Sequence, residues 1–206
     1  MEKIERREYP VELRIKNDDG KRKITGHAAV FNQLSVEMWG FREKIAPGAF
    51  AKTILEDDIR ALFNHDPNFI LGRNQANTLR LSEDNTGLYY EIEPSDTQVA
   101  RDLIANIEAG NITQNSFGFR VLPDGESWDE DINGTLIRTL TKVKLYDVSP
   151  VTYPAYPQTD IALRSAAEVG EEGRQIMNYM KKEVAETGRP ISMLKRTIEL
   201  DEKKYY

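Results

Sequence analysis

Between Tyr9 and about Thr152 the chain never holds one hydrophobic period for long. Short apolar–polar alternations are cut every few residues by Gly, Pro, Asn or Asp, a pattern that suits strands and leaves room for few long helices. Val11, Leu13 and Ile15 alternate, Asn17-Asp18-Asp19-Gly20 supplies a turn, and Ile24 to Phe31 reads as the returning strand. Ile59 to Phe63, Leu79 to Leu81 and Leu88 to Ile92 continue the series. Phe117, Phe119 and Val121 alternate with Gly118 and Arg120, Asn133-Gly134 marks a hairpin, and Val143 to Val151 closes the run.

Two helices interrupt this β-rich body. A short one follows Pro47-Gly48, with Phe50 and Ile54 a turn apart. A longer one carries Val99, Leu103 and Ile107 on one stripe, with Ser95 or Asp96 as its cap and Gly110 as its stop. After Arg164 the alternation ends. Acidic and basic residues occur there in equal number, and Ile176, Met180 and Val184 make a narrow helical stripe. Such a stripe is too thin to bury a core alone. The expected organisation is a mainly β domain with flanking helices (α+β) over residues 1–164. Residues 165–206 are expected to form a charged, helical or flexible tail that is mobile or partner-dependent.

Composition then removes whole classes of chemistry. The 206 residues include no Cys, which excludes disulfides, thiol nucleophiles and Cys-based zinc sites. Two His, His27 and His65, are too few for an ordinary metal centre, so no metal or cofactor is expected. A net charge of -6 argues against binding along a phosphate backbone. No apolar run approaches the roughly 20 residues of a membrane-spanning helix, and MEKIERREYPVELRIK contains no signal-like apolar stretch. The expectation is a soluble, intracellular protein that works with hydroxyls, carboxylates, amines and imidazole.

Three residues fit that chemistry. His65 follows Ala61-Leu62-Phe63-Asn64 and precedes Asp66-Pro67, which should stop the strand and leave the imidazole at a rim. Taken alone it reads more readily as a core-edge histidine satisfied by a backbone carbonyl. Ser116 opens the strand after a helix end, where a substrate could reach its hydroxyl, though a serine before a strand is ordinary. Strict alternation sets Asp147 on the apolar face of Val143 and Leu145, where a carboxylate is costly unless paired. Orienting a histidine would answer that cost; so would a break in register that leaves Asp147 in solvent or capping a turn. Together the three supply a nucleophile, a base and a group to fix the base's tautomer. His27, beside Ala28 and Ala29 within a strand, reads as structural.

The chain also resembles the tailed-phage prohead proteases of the HK97 type. The resemblance lies in Gly26-His27-Ala28-Ala29-Val30-Phe31-Asn32, Ile45-Ala46-Pro47-Gly48-Ala49-Phe50, Leu62-Phe63-Asn64-His65-Asp66, Ile70-Leu71-Gly72-Arg73, Gln114-Asn115-Ser116-Phe117-Gly118-Phe119 and Leu145-Tyr146-Asp147-Val148-Ser149-Pro150-Val151-Thr152-Tyr153-Pro154-Ala155. It implies a serine endopeptidase similar to the herpesvirus assemblins, built on a compact closed or partly open β-barrel with surrounding helices. The family order of histidine, serine and supporting residue is met by His65, Ser116 and Asp147. In the herpesvirus relatives the third member is a second histidine, and in phage sequences of this type it is often an acid.

The implied work is cleavage of capsid or scaffold segments inside the immature phage shell in the host cytoplasm. The implied partner is a phage major capsid protein or its scaffold segment, with self-cleavage in the charged tail and a possible homo-oligomer. Backbone N–H groups near Ser116–Gly118, Arg120 or Arg164 are candidates for stabilising the oxyanion. Two other readings stand beside this one. A non-catalytic assembly or scaffolding protein on the same fold would suit the charge-balanced tail. A nucleic-acid-binding barrel could stack bases on Tyr89, Tyr90 and Phe117, against which the net charge counts.

Overall fold

A computed structural model describes residues 4–9, 13–18, 20–36, 41–132 and 134–153. The strands, in chain order, are β1 (Glu5–Tyr9), β2 (Arg14–Asp18), β3 (Lys21–Val30), β4 (Phe41–Ile45), β5 (Arg60–Phe63) and β6 (Asp66–Arg73). They continue with β7 (Leu79–Glu83), β8 (Gly87–Ile92), β9 (Gln114–Val121), β10 (Glu126–Glu130), β11 (Leu136–Leu140) and β12 (Val143–Val151). Two α-helices, α1 (Thr53–Glu56) and α2 (Gln98–Glu108), and one 3-10 turn at Asn74–Ala76 complete the described elements, so the described residues are mainly β with few helices. The charged tail of residues 165–206 lies outside the described residues.

The strands form three sheets, in the orders β1-β9-β12-β5-β6, β2-β3-β8-β7 and β10-β11-β4. In the five-stranded sheet β12 and β5 run parallel, and the other neighbours are antiparallel. The barrel implied by the resemblance is not closed: among the described residues the five-stranded sheet ends on β1 and on β6. Pro67 lies in β6 and has no N–H to give a further strand, which suits an edge. Asp66-Pro67, expected to halt a strand, opens this one instead.

The chain divides into two units. The first comprises Met1–Leu34, Lys44–Glu126 and Thr139–Ala155. Its core takes Ala61, Phe117, Phe119, Leu145 and Val148 from the five-stranded sheet, and Ile24, Leu79, Leu88, Tyr90 and Ile92 from the four-stranded sheet. Leu103, Ile104 and Ile107 of α2 and the Phe50 ring fill the rest. Phe117 stacks on Phe119 at 4.9 Å and meets Phe50 edge-on at 5.5 Å. Such pairs add about 0.5–1.5 kcal/mol each beyond their buried area. In the second unit, Phe41 packs on Trp128 and Leu136, and buried Glu43 pairs with Arg138 at 2.9 Å.

Helix α2 starts one residue later than expected. Thr97, in extended backbone, accepts the Ala100 N–H on its hydroxyl, while Asp96 turns aside to pair with Arg101 at 2.5 Å. Gly110, at φ 76°, ends it. The helix after Pro47-Gly48 shrinks to the single turn α1, preceded by turns whose Gly48 and Phe50 N–H groups donate to the Glu83 carboxylate.

His27 is clasped by a neighbouring turn: its Nε2 lies 2.8 Å from Asp84 Oδ2, and Asp84 Oδ1 accepts the N–H groups of Thr86 and Gly87. Burial works to raise the Asp84 pKa. The hydrogen bonds from His27, Gly87 and Thr86 outweigh it and hold the carboxyl below its ordinary value. A depressed carboxylate contributes stability above its unfolded pKa and loses it as pH falls through the folded one. In Asp84→Asn, denaturant-measured stability should therefore be lower at neutral pH and fall less steeply as pH drops below the ordinary carboxylate range than in the parent chain.

Candidate active site

Strands β9 and β12 carry two chemistries on opposite faces. Along β9, Phe117 and Phe119 enter the core, so alternation sends Ser116 and Gly118 to the other face. In β12, Leu145 stands opposite Phe119 and Val148 opposite Phe117, on the core face. Unbroken alternation from Leu145 would bring Asp147 to that same face. Instead the register shifts between Leu145 and Asp147, and Asp147 stands opposite Gly118 with Ser149 opposite Ser116. The extra residue, Tyr146, is a β-bulge that re-aims the carboxylate. The register break considered in the sequence is real, and its product is pairing, not solvation.

His65 sits in a turn between two strands, not at the end of one. Strand β5 ends at Phe63, which pairs with Asp66, and Asn64 and His65 make the two-residue turn between them with φ 54° and 57°. Positive φ at both positions matches the right-handed twist of a hairpin, yet it costs a non-glycine residue about 1–3 kcal/mol. Asn64 anchors the turn. Its backbone N–H donates to the Pro150 carbonyl at 3.0 Å, its side chain donates to Thr152 Oγ1 at 3.1 Å, and its Oδ1 accepts the Thr152 N–H at 2.8 Å. The hairpin is thus pinned to the end of β12, and the imidazole points back along it.

The three sequence candidates meet. His65 Nδ1 lies 2.5 Å from Asp147 Oδ1, and His65 Nε2 lies 2.6 Å from Ser116 Oγ. Ser149, not singled out from the sequence, donates its hydroxyl to the same Asp147 oxygen at 2.7 Å. An ionised carboxylate only accepts, so Asp147 places the neutral ring's proton on Nδ1 and leaves the Nε2 lone pair toward Ser116. That arrangement can draw the hydroxyl proton onto imidazole and stabilise the imidazolium that forms. Ser116 is fully buried and is the third residue of its strand, so the exposed strand start expected for it is corrected.

Two further residues fix β9. A methyl group at Gly118 would collide with Asp147 Oδ2, so only glycine leaves room for the carboxylate to lie across the strand. Asn115, next to Ser116, accepts the Tyr90 hydroxyl on its Oδ1. Burial raises the Tyr90 phenol far above its ordinary value, which keeps it a donor. Tyr90 and Phe117 are fully buried and offer no face for stacking bases. Arg120 lies on Ser116's strand opposite Lys144, whereas Arg164 is outside the described residues. Among the described residues no three His, Asp or Glu side chains gather as a metal-binding group.

Comparison with known proteins agrees in kind. The family described as caudovirus prohead serine protease matches residues 9–172. The prohead protease of Enterobacteria phage HK97 is 28% identical over 177 residues, which cover 82% of this chain and 72% of that protein. The bacteriophage T4 capsid assembly protease has a similar fold, with a TM-score of 0.50 at 14% identity, over 73% of this chain and 98% of that one.

The close approach at Gly118 is testable. Gly118→Ala should leave the circular dichroism spectrum unchanged, while the rate at which a fluorophosphonate labels Ser116 falls by on the order of a hundredfold. An unchanged rate would show that the carboxylate needs no such clearance.

Proposed function

The chain belongs to the caudovirus prohead serine protease family, and from that premise and the geometry of the site we propose that it is a serine endopeptidase that cleaves capsid or scaffold segments, and itself, as a phage prohead matures. The observation that carries this reading is the unbroken hydrogen-bonded line from Asp147 through His65 to Ser116. Ser116 Oγ attacks the scissile carbonyl as His65 Nε2 takes its proton. The imidazolium, held by Asp147, returns that proton to the leaving amine, and an acyl-enzyme remains. Water, deprotonated by the same imidazole, then releases the acid and restores the hydroxyl. The sequence calls on no metal or cofactor.

Oxyanion stabilisation falls to backbone N–H groups of the Ser116–Gly118 stretch, with Arg120 as the nearest cation on that strand. Residues 1–164 constitute the protease domain in this reading, and residues 165–206 an appendage that self-cleavage trims. The substrate is the phage major capsid protein or its scaffold segment, met inside the immature shell. No nucleic acid or membrane is called for. The family name and the prohead protease of phage HK97 support the reaction class and the setting.

The full burial of Ser116 favours a second reading, an assembly protein on the same fold without catalysis. Against it stands the energetic cost of the site: a buried carboxylate and a left-handed histidine have no structural use together unless the imidazole is being aimed. Co-expression with the cognate capsid protein separates the two. The parent chain should convert the capsid precursor and shorten itself only after Arg164 by intact mass. Ser116→Ala should fold normally and do neither. Processing by Ser116→Ala would remove Ser116 as nucleophile, and no processing by a folded parent chain would favour the assembly reading.

A further inference from the structure

The three side chains are aligned, yet a substrate cannot reach them as the protein stands. Ser116 is fully buried, and the His65 and Asp147 side chains are 7% and 11% exposed. On the Ser116 side the neighbour is the main chain of β1. Strand β1 is the terminal strand of the five-stranded sheet and pairs antiparallel with β9, Glu8 opposite Ser116 and Arg7 opposite Phe117. The Ser116 hydroxyl lies 3.1 Å from the Arg7 carbonyl oxygen, which offers it a second acceptor beside His65 Nε2. A hydroxyl has one hydrogen, so each moment spent bonded to Arg7 is a moment in which the base is not engaged.

The side chains from Ile4 to Arg7 lie at the surface side of this strand, outside the apolar core. From Ile4 to Arg7 none is buried; Ile4 and Arg6 are exposed. Arg7 pairs with Glu5 within the strand and rests its guanidinium over the Phe119 ring at 5.5 Å. An extended peptide that took the place of β1 would restore the same ladder bonds. The exchange is close to neutral in hydrogen bonds, and it brings a foreign carbonyl to the spot the Arg7 carbonyl now holds.

We propose that the edge of β9 beside Ser116 is the site where an extended substrate peptide pairs antiparallel, and that Glu5–Tyr9 occupies this edge at rest as a built-in, displaceable stand-in. The inference rests on the serine endopeptidase reading above and adds to it how substrate enters and how the resting enzyme is held in check. It also accounts for how a complete set of catalytic groups coexists with a wholly covered hydroxyl. Departure of β1 frees those β9 N–H groups that face it, which makes them available to a substrate backbone or an oxyanion.

The test uses the full chain with Arg6→Pro and Arg7→Pro together. In an antiparallel pair every second N–H points at the partner, so one of the two prolines removes a ladder bond. The expected result is fluorophosphonate labelling of Ser116 faster than in the parent by roughly tenfold, as when a competent state of about one tenth occupancy becomes fully populated. Adding the synthetic peptide EKIERREYP should slow the variant again. A folded variant that labels at the parent rate overturns the proposal while leaving Ser116 as nucleophile. Folded protein of both kinds that never labels overturns the nucleophile reading, and this inference with it. Deletion of residues 1–9 is the second variant. If both variants lose hydrogen-exchange protection in β5 and β12, β1 is an integral strand and the proposal is wrong.

Discussion

One inserted residue decides what this protein's central strand pair can do. Side chains alternate across a strand, so β9 and β12 could have turned every apolar residue to the core and every polar one to the opposite face without any site resulting. The bulge at Tyr146 breaks that symmetry. Before it, β12 feeds Leu145 to the core; after it, Asp147 and Ser149 stand with Gly118 and Ser116 while Val148 returns to the core against Phe117. The same pair therefore supplies the hydrophobic burial that holds the unit together and the polar row that carries its chemistry.

The cost of the site is met from structure around it. Asp147 loses solvation by burial and regains hydrogen bonds from His65 and Ser149. The left-handed turn at Asn64 and His65 is strained, and three hydrogen bonds from Asn64 to the end of β12 hold it closed. Gly118 gives up a side chain so that a carboxylate can cross the strand. Each of these features weakens the fold taken alone. Their common effect is to set one imidazole between an acid and an alcohol.

Much of this was legible in the sequence because it is local. Alternation marked β3, β7, β8, β9 and β12, and the stripe of α2 appeared with its Gly110 stop. Residue type, position near strand ends and the resemblance to the prohead proteases together nominated His65, Ser116 and Asp147, and with two histidines and no cysteine the choice of base was narrow. The parts that were not legible are those set by pairing between distant segments. A bulge leaves no local signature, so strict period two misplaced Asp147 and hid Ser149. Asp66-Pro67 reads as a stop, and only its position at a sheet edge lets β6 begin there. The hydrogen bond from Ser116 to the Arg7 carbonyl of β1 joins residues more than a hundred positions apart, and no spacing rule reaches that far.

The account turns on His65 being held by Asp147 with its basic nitrogen toward Ser116. With two histidines in the chain, nitrogen-15 NMR of the ring atoms can be assigned with a single His27→Gln variant. At a pH where the His65 ring is neutral, its proton should reside on Nδ1, and Asp147→Asn should shift that resonance and mix the tautomers. A ring whose proton sits on Nε2, or whose signals ignore the loss of the Asp147 charge, would contradict the arrangement on which the chemistry depends.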